Sequence, residues 1–557
     1  MLNLQTIASA LLLPLLPWQS IHVRNDQVDL LPGPYTLQEG RRVRGENVLF
    51  ILLDDLGIEQ LKMYGMSYGS GEIPPPRTEF MDNIREQGIL FHNAYVNPLC
   101  SPTRSQTLTG RYGFRTGLGK AAKGTTTPDD FAISTDNVFV AELVRAHRGA
   151  DVARGFFGKW HVAGKGSEND CDAVFPVNRG FEVIQGSTKN NQGPHSEFGE
   201  LDHFHWLKID AAATDDPVCP DKADVPDPTS TPLAVGHWSP TVNRKDAVTW
   251  INEQPGPWFA YVGYNPPHVP LHVPGFALMS KQTRNRMRRL GYSLGQPPNT
   301  SLGDPDAQEQ EVYRSMVEAV DTEIGRLIAG LTPEDYQNTT IIVMGDNGTP
   351  GARLPEELNG TLVPAVQGKR GIYELGTRVP LMIQGPRVPQ ANKPAGGWDS
   401  YALVSGVDMY RTIANLLGVN DETIDVILTD KGALPVDSIS FLDVIEDPTA
   451  SGSREFAYCE EFAFNGVPED GCGEYATMRR AINSSFDERW GRGHYKYIWK
   501  EFDDGTVVEE LYNLTDDWLE TTNLFPPAIG SADETAYFEL AAEMVAIHPS
   551  TTIEICQ

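Results

Sequence analysis

Three apolar segments, each followed directly by polar residues, stand out in the hydrophobic pattern of the chain. They span residues 48–53, 258–263 and 340–344. The polar side chains that follow them include Asp54, Asp55, His268, Asp346 and Asn347. An unbroken apolar run that ends in turn-forming residues is typical of a strand buried on both faces of a sheet. The pattern therefore predicts three buried strands with polar groups at their carboxyl ends.

Helical periodicity appears between and after these predicted strands. Apolar residues recur at helical spacing from Met316 to Ile328, and a second such run covers residues 409–417 and ends at Gly418, a typical C-cap. Strands that alternate with helices predict an α/β fold, in which helices cover both faces of a mainly parallel sheet. Ligands of such sheets bind beyond the carboxyl ends of the strands, so we expect the three polar clusters to meet in one crevice.

The pattern changes near residue 440. Pro, Gly, Asp and Ser are frequent from Lys431 to Arg454, which indicates a boundary. Residues 494–500 alternate like a strand, and residues 507–512 form a second candidate strand beyond a turn. We therefore predict a main domain over residues 46–440 and a smaller C-terminal α+β domain with an antiparallel sheet over residues 441–557.

Charge limits the partners of the protein. The chain has 557 residues with 45 Lys+Arg and 75 Asp+Glu, which gives a formal net charge of −30 at pH 7. This charge disfavours binding to nucleic acid or to an anionic membrane surface. Solubility is the simplest explanation of the acidity. An anionic substrate would be repelled at long range, so a site for one must be locally cationic.

The N-terminus bears on the cellular compartment. Residues 7–18 form an apolar run that is too short to span a bilayer, so we expect no stable membrane insertion. Residues 1–20 are interpreted as a secretory signal peptide. Because no Lys or Arg precedes the apolar run, an N-terminal packing segment is the alternative.

Cysteines and glycosylation sequons also favour a secreted, periplasmic or lysosomal location. Besides Cys100, the sequence-local pairs Cys171 with Cys219 and Cys459 with Cys472 could form disulfides, which leaves Cys556 over. Sequons that are compatible with glycosylation begin at Asn299, Asn338, Asn359, Asn483 and Asn513.

Cys100 lies in the most informative segment, PLCSPTRSQTLTGRY, which spans residues 98–112. Pro102 suits the first turn of a helix, which would place Cys100 at the positive end of the helix dipole. Backbone N–H groups at such an end can bind an anion. A cysteine that precedes a helix is more often structural than catalytic when no other signal accompanies it.

The segment resembles the signature of type I sulfatases, Cys-x-Pro-x-Arg followed by Ser-Gln-x-Leu-Thr-Gly-Arg-Tyr, in which the cysteine is oxidised to Cα-formylglycine. Thr103 departs from the commonest form of the signature, which has Ser. The flanking residues are most similar to the arylsulfatase B branch, the N-acetylgalactosamine-4-sulfatase-like enzymes. Further family motifs occur in the family's order at residues 54–55, 158–161, 265–268, 345–348, 369–380, 510–514 and 520–524.

The resemblance implies an alkaline-phosphatase-like fold in which residues 46–440 form the catalytic domain. It also implies maturation by a formylglycine-generating enzyme and one bound Ca²⁺ ion. The implied metal ligands are Asp54, Asp55, Asp346, Asn347 and the modified Cys100. Oxygen ligands of this kind are the ones that Ca²⁺ prefers. Read without the resemblance, the two acidic motifs would each be a helix cap or a turn.

The remaining motif residues receive catalytic roles from the same resemblance. Arg104 and Lys159 would hold the charge of the transferring sulfate, and His268 or Lys369 would protonate or stabilise the departing oxygen. Asp346 would act as a base toward the nucleophile at position 100. His161 would remove a proton in the step that regenerates this nucleophile. Their positive charges would meet the requirement for a locally cationic site.

Three functions are compatible with these motifs. The first is hydrolysis of aryl or carbohydrate sulfate esters, including the N-acetylgalactosamine 4-sulfate type. The second is hydrolysis of phosphodiesters or phosphonate monoesters by the same superfamily fold. The third is non-catalytic binding of sulfated glycans.

Segments that recognise the leaving group are expected at residues 186–240 and 280–310. In the first segment, His203, His205, Trp206 and Trp238 could line a sugar subsite, although aromatic and histidine residues in a loop more often pack locally. Within the second segment, residues 280–306 are expected to form an exposed insertion near the rim of the site. It carries Arg284, Arg286, Arg288 and Arg289.

Overall fold

A computed structural model gives the structure of most of the chain. The residues that it describes are 46–122, 133, 136–162, 176–190, 193–194, 201–204, 206, 208–212, 238–299, 301, 304–433, 435–463, 477–485, 493–502 and 504–548. The interpretation of residues 1–20 lies outside these ranges. So do Cys171, Cys219, Cys472 and Cys556.

Seventeen strands and thirteen α-helices are present in the described ranges. The strands are β1 (Asn47–Leu53), β2 (Ile89–Tyr95), β3 (Ala153–Lys159), β4 (Val183–Ser187), β5 (Gly193–Pro194), β6 (Leu201–Asp202), β7 (Ile209–Ala212), β8 (Trp258–Tyr264), β9 (Thr339–Gly345), β10 (Glu357–Leu358), β11 (Thr361–Leu362), β12 (Leu381–Gln384), β13 (Trp398–Ser405), β14 (Phe456–Ala463), β15 (Thr477–Ser484), β16 (Tyr495–Glu501) and β17 (Val507–Asn513). The helices are α1 (Glu79–Gln87), α2 (Cys100–Thr109), α3 (Gly113–Thr116), α4 (Val140–Arg148), α5 (Ser239–Asn252), α6 (Lys281–Arg289), α7 (Pro305–Ala329), α8 (Pro333–Gln337), α9 (Glu374–Thr377), α10 (Met409–Leu416), α11 (Asp421–Asp430), α12 (Leu442–Glu446) and α13 (Ala532–Ile547).

A nine-stranded mixed sheet forms the centre of the fold, with the order β13-β2-β12-β9-β1-β8-β3-β4-β7. Most neighbouring pairs are parallel, whereas β12 and β7 run antiparallel to their neighbours. The three strands predicted from apolar runs, β1, β8 and β9, are adjacent and completely buried. Leu53 pairs with both Tyr264 and Gly345, so the carboxyl ends of the three strands lie side by side.

Helices cover both faces of this sheet. Alternate residues of β1 enter opposite cores: Phe50 packs in a cluster with residues of α4 and α10, and Ile51 packs in a cluster with residues of α1, α5 and α7. This alternation follows from the two-residue period of a strand. The predicted α/β fold is confirmed. None of the helices in the described ranges is long and apolar enough to cross a membrane.

The C-terminal part contains the predicted antiparallel sheet, whose strand order is β14-β15-β16-β17. Helix α13 packs on this sheet, and Tyr112 and Val407 of the main domain enter the same hydrophobic cluster. The first strand of this sheet begins at Phe456. The domain boundary between residues 440 and 441 stays a prediction.

Two residues of the C-terminal part bear on possibilities that the sequence left open. Cys459 is a buried free thiol whose Sγ lies 3.7 Å from the carbonyl oxygen of Ala481. Asn483 is completely buried, and its Nδ2 donates to Glu374 Oε1 at 3.0 Å. This asparagine therefore has no room for a glycan, although its tripeptide matches the sequon.

The insertion expected to be exposed at residues 280–306 is only partly so. Its helix α6 buries Thr283 and Met287, and Thr283 Oγ1 donates to Glu318 Oε1 on α7 at 2.7 Å. The sequence did not show this packing because only two residues of the helix face inward.

Glu460 at the junction between the two sheets is expected to make stability depend on pH. Its buried carboxyl accepts hydrogen bonds from Phe114 N at 2.8 Å and Tyr458 OH at 3.0 Å. Burial raises its pKa to about 7, against about 4.3 for an unfolded chain. In this interval the folded protein binds the proton more tightly, so the free energy of unfolding falls as the pH rises.

The substitution Glu460→Gln removes this titration. Between pH 4.5 and pH 8, wild-type protein should lose roughly 3 kcal/mol of stability relative to the variant. Urea unfolding followed by tryptophan fluorescence at several pH values measures the difference. If the free energy of unfolding depended on pH in the same way in both proteins, the pKa of Glu460 would not be raised in the folded state.

Candidate active site

The candidate site residues lie at the ends of strands and at the N-terminus of one helix. Cys100 is the first residue of α2, in which every residue is buried, and Leu99 in extended conformation precedes it. The helix begins here because Pro102 fits its first turn, as the sequence predicted. Lys159 ends β3, and Asp54 follows β1. All of these residues lie at the carboxyl edge of the sheet.

His161 is a neutral base directed at residue 100. Its Nδ1 lies 3.3 Å from Cys100 Sγ, and its Nε2 lies 3.0 Å from the carbonyl oxygen of Ala122. A carbonyl oxygen only accepts, so Nε2 carries the proton and the lone pair of Nδ1 faces residue 100. Burial, together with the charges of Lys159 and Arg104, holds the pKa of His161 well below its ordinary value.

Asp54 is completely buried and surrounded by donors. Its Oδ2 accepts from Asn265 Nδ2 at 3.1 Å and forms an ion pair with Lys159 Nζ. Burial alone would raise the pKa of Asp54. The positive charge of Lys159, together with that of the other cationic side chains around Asp54, outweighs burial and holds the pKa of Asp54 well below its ordinary value. Asp54 is therefore ionised.

Arg104 joins the carboxylates of two strand ends. Its Nε and Nη2 donate to Asp346 Oδ2 at 3.0 and 2.8 Å, and its Nη2 lies 3.4 Å from Asp54 Oδ2. Its Nη1 donates to the carbonyl oxygen of Lys159 at 2.8 Å. The side chain fits because β8 has Gly263 here: a Cβ at that position would lie 3.1 Å from Nη1. Arg104 therefore contacts carboxylates and backbone.

Asp346 lies close to two other carboxylates. Its Oδ1 accepts from the backbone N–H of Asp55 at 3.2 Å. Burial, and then the charge of Asp54, raise the pKa of Asp346 to about 7. Neighbouring buried carboxylates repel each other, and a divalent cation between them would relieve that repulsion.

Asp55 links Asn347 to Lys369. Its Oδ1 accepts from Asn347 Nδ2 at 2.8 Å and forms an ion pair with Lys369 Nζ. Burial alone would lower the pKa of Lys369, but Asp55 and the other acidic groups raise it above its ordinary value, so the ammonium stays charged. The Asp55 carbonyl oxygen also accepts from Tyr313 OH at 2.6 Å.

Two residues of this site have strained backbone conformations. Asp55 has a φ of 64° and His161 a φ of 58°, values in the left-handed region that residues other than glycine rarely adopt. Such conformations persist where the surrounding structure enforces them, often at functional sites. Neither conformation was predictable from the sequence pattern.

The acidic residues fit a hard divalent cation. Asp54 Oδ1 and Asn347 Oδ1 are buried oxygens that have no hydrogen-bond partner in the described part of the chain. Ligand atoms of Asp54, Asp55 and His268 all lie within 4.8 Å of one another. Buried polar atoms of this kind require a partner, and carboxylate and amide oxygens are the ligands that Ca²⁺ prefers.

A buried ion cluster that was not predicted from the sequence supports the segment that carries Lys369. Lys496 Nζ on β16 lies 3.2 Å from Glu374 Oε1 and 3.0 Å from Glu520 Oε1. Glu520 also accepts from the backbone N–H of Glu374 at 2.6 Å. Because Glu374 begins α9 five residues after Lys369, the C-terminal sheet holds this segment against the site.

The sugar subsite proposed from residues 186–240 is wrong for its described members. His203, Trp206 and Trp238 are all buried. His203 Nε2 lies 2.9 Å from the carbonyl oxygen of His268, and Trp238 Nε1 donates to His272 Nε2 at 3.1 Å. Both residues therefore support the His268 loop from beneath. His205 lies outside the described residues.

Fold and site together define the class of protein. It is an α/β protein in which a cysteine at a helix N-terminus, a cluster of acidic side chains and buried positive charges share the carboxyl edge of a mainly parallel sheet. The chain belongs to the sulfatase family, whose profile matches residues 46–419. This assignment confirms the resemblance, whereas the arylsulfatase B branch stays a prediction.

Similar proteins carry sulfatase names. N-acetylgalactosamine-6-sulfatase of Sus scrofa is 26% identical over 68% of this chain and 64% of its own length. Arylsulfatase of Klebsiella aerogenes is 26% identical over 58% of this chain and 70% of its own length. A sulfatase of Formosa agariphila is 26% identical over 86% and 84%. The chain thus spans just under two thirds of the length of the pig enzyme.

Solved structures share the fold. A Bacteroides fragilis protein proposed to be a sulfatase superposes with a TM-score of 0.64 at 18% identity, covering 94% of this chain and 100% of that chain. A protein in complex with its substrate D-glucosamine-2-N,6-O-disulfate gives 0.57 at 18% identity, covering 90% and 98%. These similarities support the predicted alkaline-phosphatase-like fold.

Proposed function

We propose that the protein hydrolyses sulfate esters with a formylglycine made from Cys100 and one Ca²⁺ ion. One observation carries the proposal. Asp54 and Asp346, which directly follow β1 and β9, form one cluster with Cys100, Lys159 and the mostly buried Lys369. These positive charges satisfy the requirement for a locally cationic site in a protein with a net charge of −30.

Asp54, Asp55, Asp346 and Asn347 would hold the cation, together with an oxygen of residue 100. The unpartnered oxygens of Asp54 and Asn347 support this ligand set. The cation would supply charge neutralisation and polarise an oxygen of the transferring group. Arg104 would fix Asp54 and Asp346 relative to each other.

Hydrated formylglycine would supply two hydroxyl groups, one that attacks sulfur and one from which the aldehyde is regenerated. The side chains around it have complementary tasks. His161 offers the Nδ1 lone pair to a proton on residue 100. The charged ammonium of Lys369 stabilises negative charge on sulfate or on the departing oxygen.

His268 can assist the leaving group only after it gains a proton. Its Nδ1 lies 2.5 Å from the carbonyl oxygen of Val269, so Nδ1 carries the proton of the neutral ring and Nε2 accepts. Burial, and then the charge of Lys369, lower the pKa of His268. Of the two residues that could assist the departing oxygen, Lys369 is therefore the one that carries a positive charge before any proton transfer.

Two esters with the same leaving group test the proposed activity. Protein produced with a formylglycine-generating enzyme should hydrolyse 4-nitrophenyl sulfate at least about a hundredfold faster than bis(4-nitrophenyl) phosphate, compared by kcat/KM. A preference for the phosphodiester would support the phosphodiesterase alternative. Binding of sulfated glycans without turnover would support the non-catalytic one.

A sulfated carbohydrate is the proposed physiological substrate. This rests on the names of similar proteins, among them an enzyme that acts on N-acetylgalactosamine 6-sulfate and a structure that contains a disulfated glucosamine. We also propose maturation by the formylglycine-generating enzyme in a secreted, periplasmic or lysosomal compartment.

A further inference from the structure

Helix α6 carries an unusual concentration of positive charge for so acidic a protein. Its basic residues are Lys281, Arg284, Arg286, Arg288 and Arg289. Arg286 pairs with Glu311. In the described part of the chain, none of the other four forms a salt bridge, whereas many basic residues elsewhere do. We call these four residues the α6 basic face.

Helix geometry directs the α6 basic face away from the core. The buried residues Thr283 and Met287 are four apart and face α7. Lys281, Arg284 and Arg288 are three and four residues apart, so they form one stripe on another side of the helix. Lys281 and Arg288 are exposed, and Arg284 is half-buried.

A shallow cavity of about 540 Å³ lies along this face. It is lined by Gln282, Asn285, Arg288 and Arg289, which offer amide and guanidinium donors. Arg284 Nε is buried and has no acceptor within the described ranges. The two guanidinium groups of Arg288 and Arg289 beside this cavity are suited to bidentate binding of sulfate oxygens.

The stability of the helix alone does not explain these charges. Basic residues in the last turn interact favourably with the helix dipole, which accounts for Arg288 and Arg289. Lys281 and Arg284 lie at the other end, where the dipole disfavours them. Arg284 and Arg288 also repel each other at four-residue spacing, which costs a few tenths of a kcal/mol.

We propose that the α6 basic face binds sulfate groups of an oligosaccharide substrate at a distance from the ester that is hydrolysed. This inference rests on the proposed function. The net charge of −30 opposes long duplex nucleic acid and extended anionic membranes, whereas a short flexible polyanion can contact a local cationic patch. The face therefore selects sulfated chains over single sulfated sugars.

One substrate chain can reach both sites. Helix α6 packs on α7 through Thr283 and Glu318, and Tyr313 of α7 donates from its hydroxyl to the Asp55 carbonyl oxygen at 2.6 Å. The α6 basic face is thus separated from the acidic cluster by about two helix diameters, roughly 20 Å. An oligosaccharide of several residues spans such a distance.

Binding without turnover tests the α6 basic face. In a Cys100→Ala background, the Kd of a fluorescently labelled chondroitin sulfate hexasaccharide is compared for proteins with and without Arg288→Gln/Arg289→Gln. We expect the double substitution to raise Kd about five- to tenfold at low salt, with a smaller effect at high salt. The matched control, Arg145→Gln/Lys431→Gln, removes two exposed charges elsewhere and should change Kd less than twofold.

Two results would overturn the inference. One is an equal rise of Kd in both double variants, which would show a general effect of net charge. The other is equally tight binding of duplex DNA or of anionic vesicles to the same face. The proposed function is tested separately, by hydrolysis of 4-nitrophenyl sulfate by protein that retains Cys100. Its failure would therefore be distinguished from failure of the binding inference.

Discussion

Replacing Cys100 with alanine is expected to lower kcat/KM for 4-nitrophenyl sulfate by at least roughly four orders of magnitude, since removal of a nucleophile leaves only binding and electrostatic effects. In the wild-type protein, the tryptic peptide that contains residue 100 should have the mass of an aldehyde in place of the thiol. The substitution removes one sulfur atom from the start of α2, so the fold should persist.

Cys459→Ala is the matched control for this experiment. Cys459 is also a buried free cysteine, but it lies on β14 among residues of the C-terminal sheet. Its loss should cost about 1 kcal/mol of stability and leave turnover within about twofold. Turnover by Cys100→Ala at the wild-type rate would refute the proposed nucleophile.

The second large effect is expected from Asp54→Asn, which removes a charge from the cation site and keeps the shape of the side chain. The variant should lose Ca²⁺ binding, and kcat/KM should fall by roughly three orders of magnitude. Lys159 would also lose its buried counter-charge, so we expect lower stability, by about 3 kcal/mol. Calcium titration with thermal unfolding measures both quantities.

Saturation with Ca²⁺ at a hundredfold excess over Kd should stabilise wild-type protein by about 2.7 kcal/mol. Asn347→Ala separates the loss of metal from the loss of the ion pairs. It removes the unpartnered Oδ1 and leaves Asp54 with all its cationic partners. Asp421→Asn, an exposed change on α11, should behave as wild type. Undiminished Ca²⁺ stabilisation of Asp54→Asn would place the cation elsewhere.

Much of the fold could be predicted because its central strands are unambiguous. The runs in β1, β8 and β9 are apolar on both faces, which only a strand covered on both sides can accommodate. The segment 280–306 was harder to predict, since α6 turns only Thr283 and Met287 inward. Its single buried stripe is too weak a periodic signal to separate a packed helix from an exposed loop.

The candidate site was predictable in composition and not in geometry. Asp54, Cys100 and Asp346 lie in sequence motifs that identified them as site residues. The support given by Lys496 to Glu374 and Glu520 had no comparable signal, because Lys496 lies in an ordinary strand pattern more than a hundred residues away from Glu374. The proposed sugar subsite failed for a related reason: aromatic and histidine residues such as His203 and Trp238 pack as readily as they bind ligands.

The sequence by itself determined the layers of the fold, the chemical character of the site and the strand ends that carry it. These properties follow from local periodicity and from residue types. The tertiary structure alone decided that the His161 lone pair faces residue 100. It also decided that oxygens of Asp54 and Asn347 have no hydrogen-bond partner among the described residues, and that only Arg286 of the basic residues on α6 forms a salt bridge there. Each of these depends on which distant side chains meet, and hydrogen bonds and ion pairs between residues far apart in the chain leave no periodic trace in it.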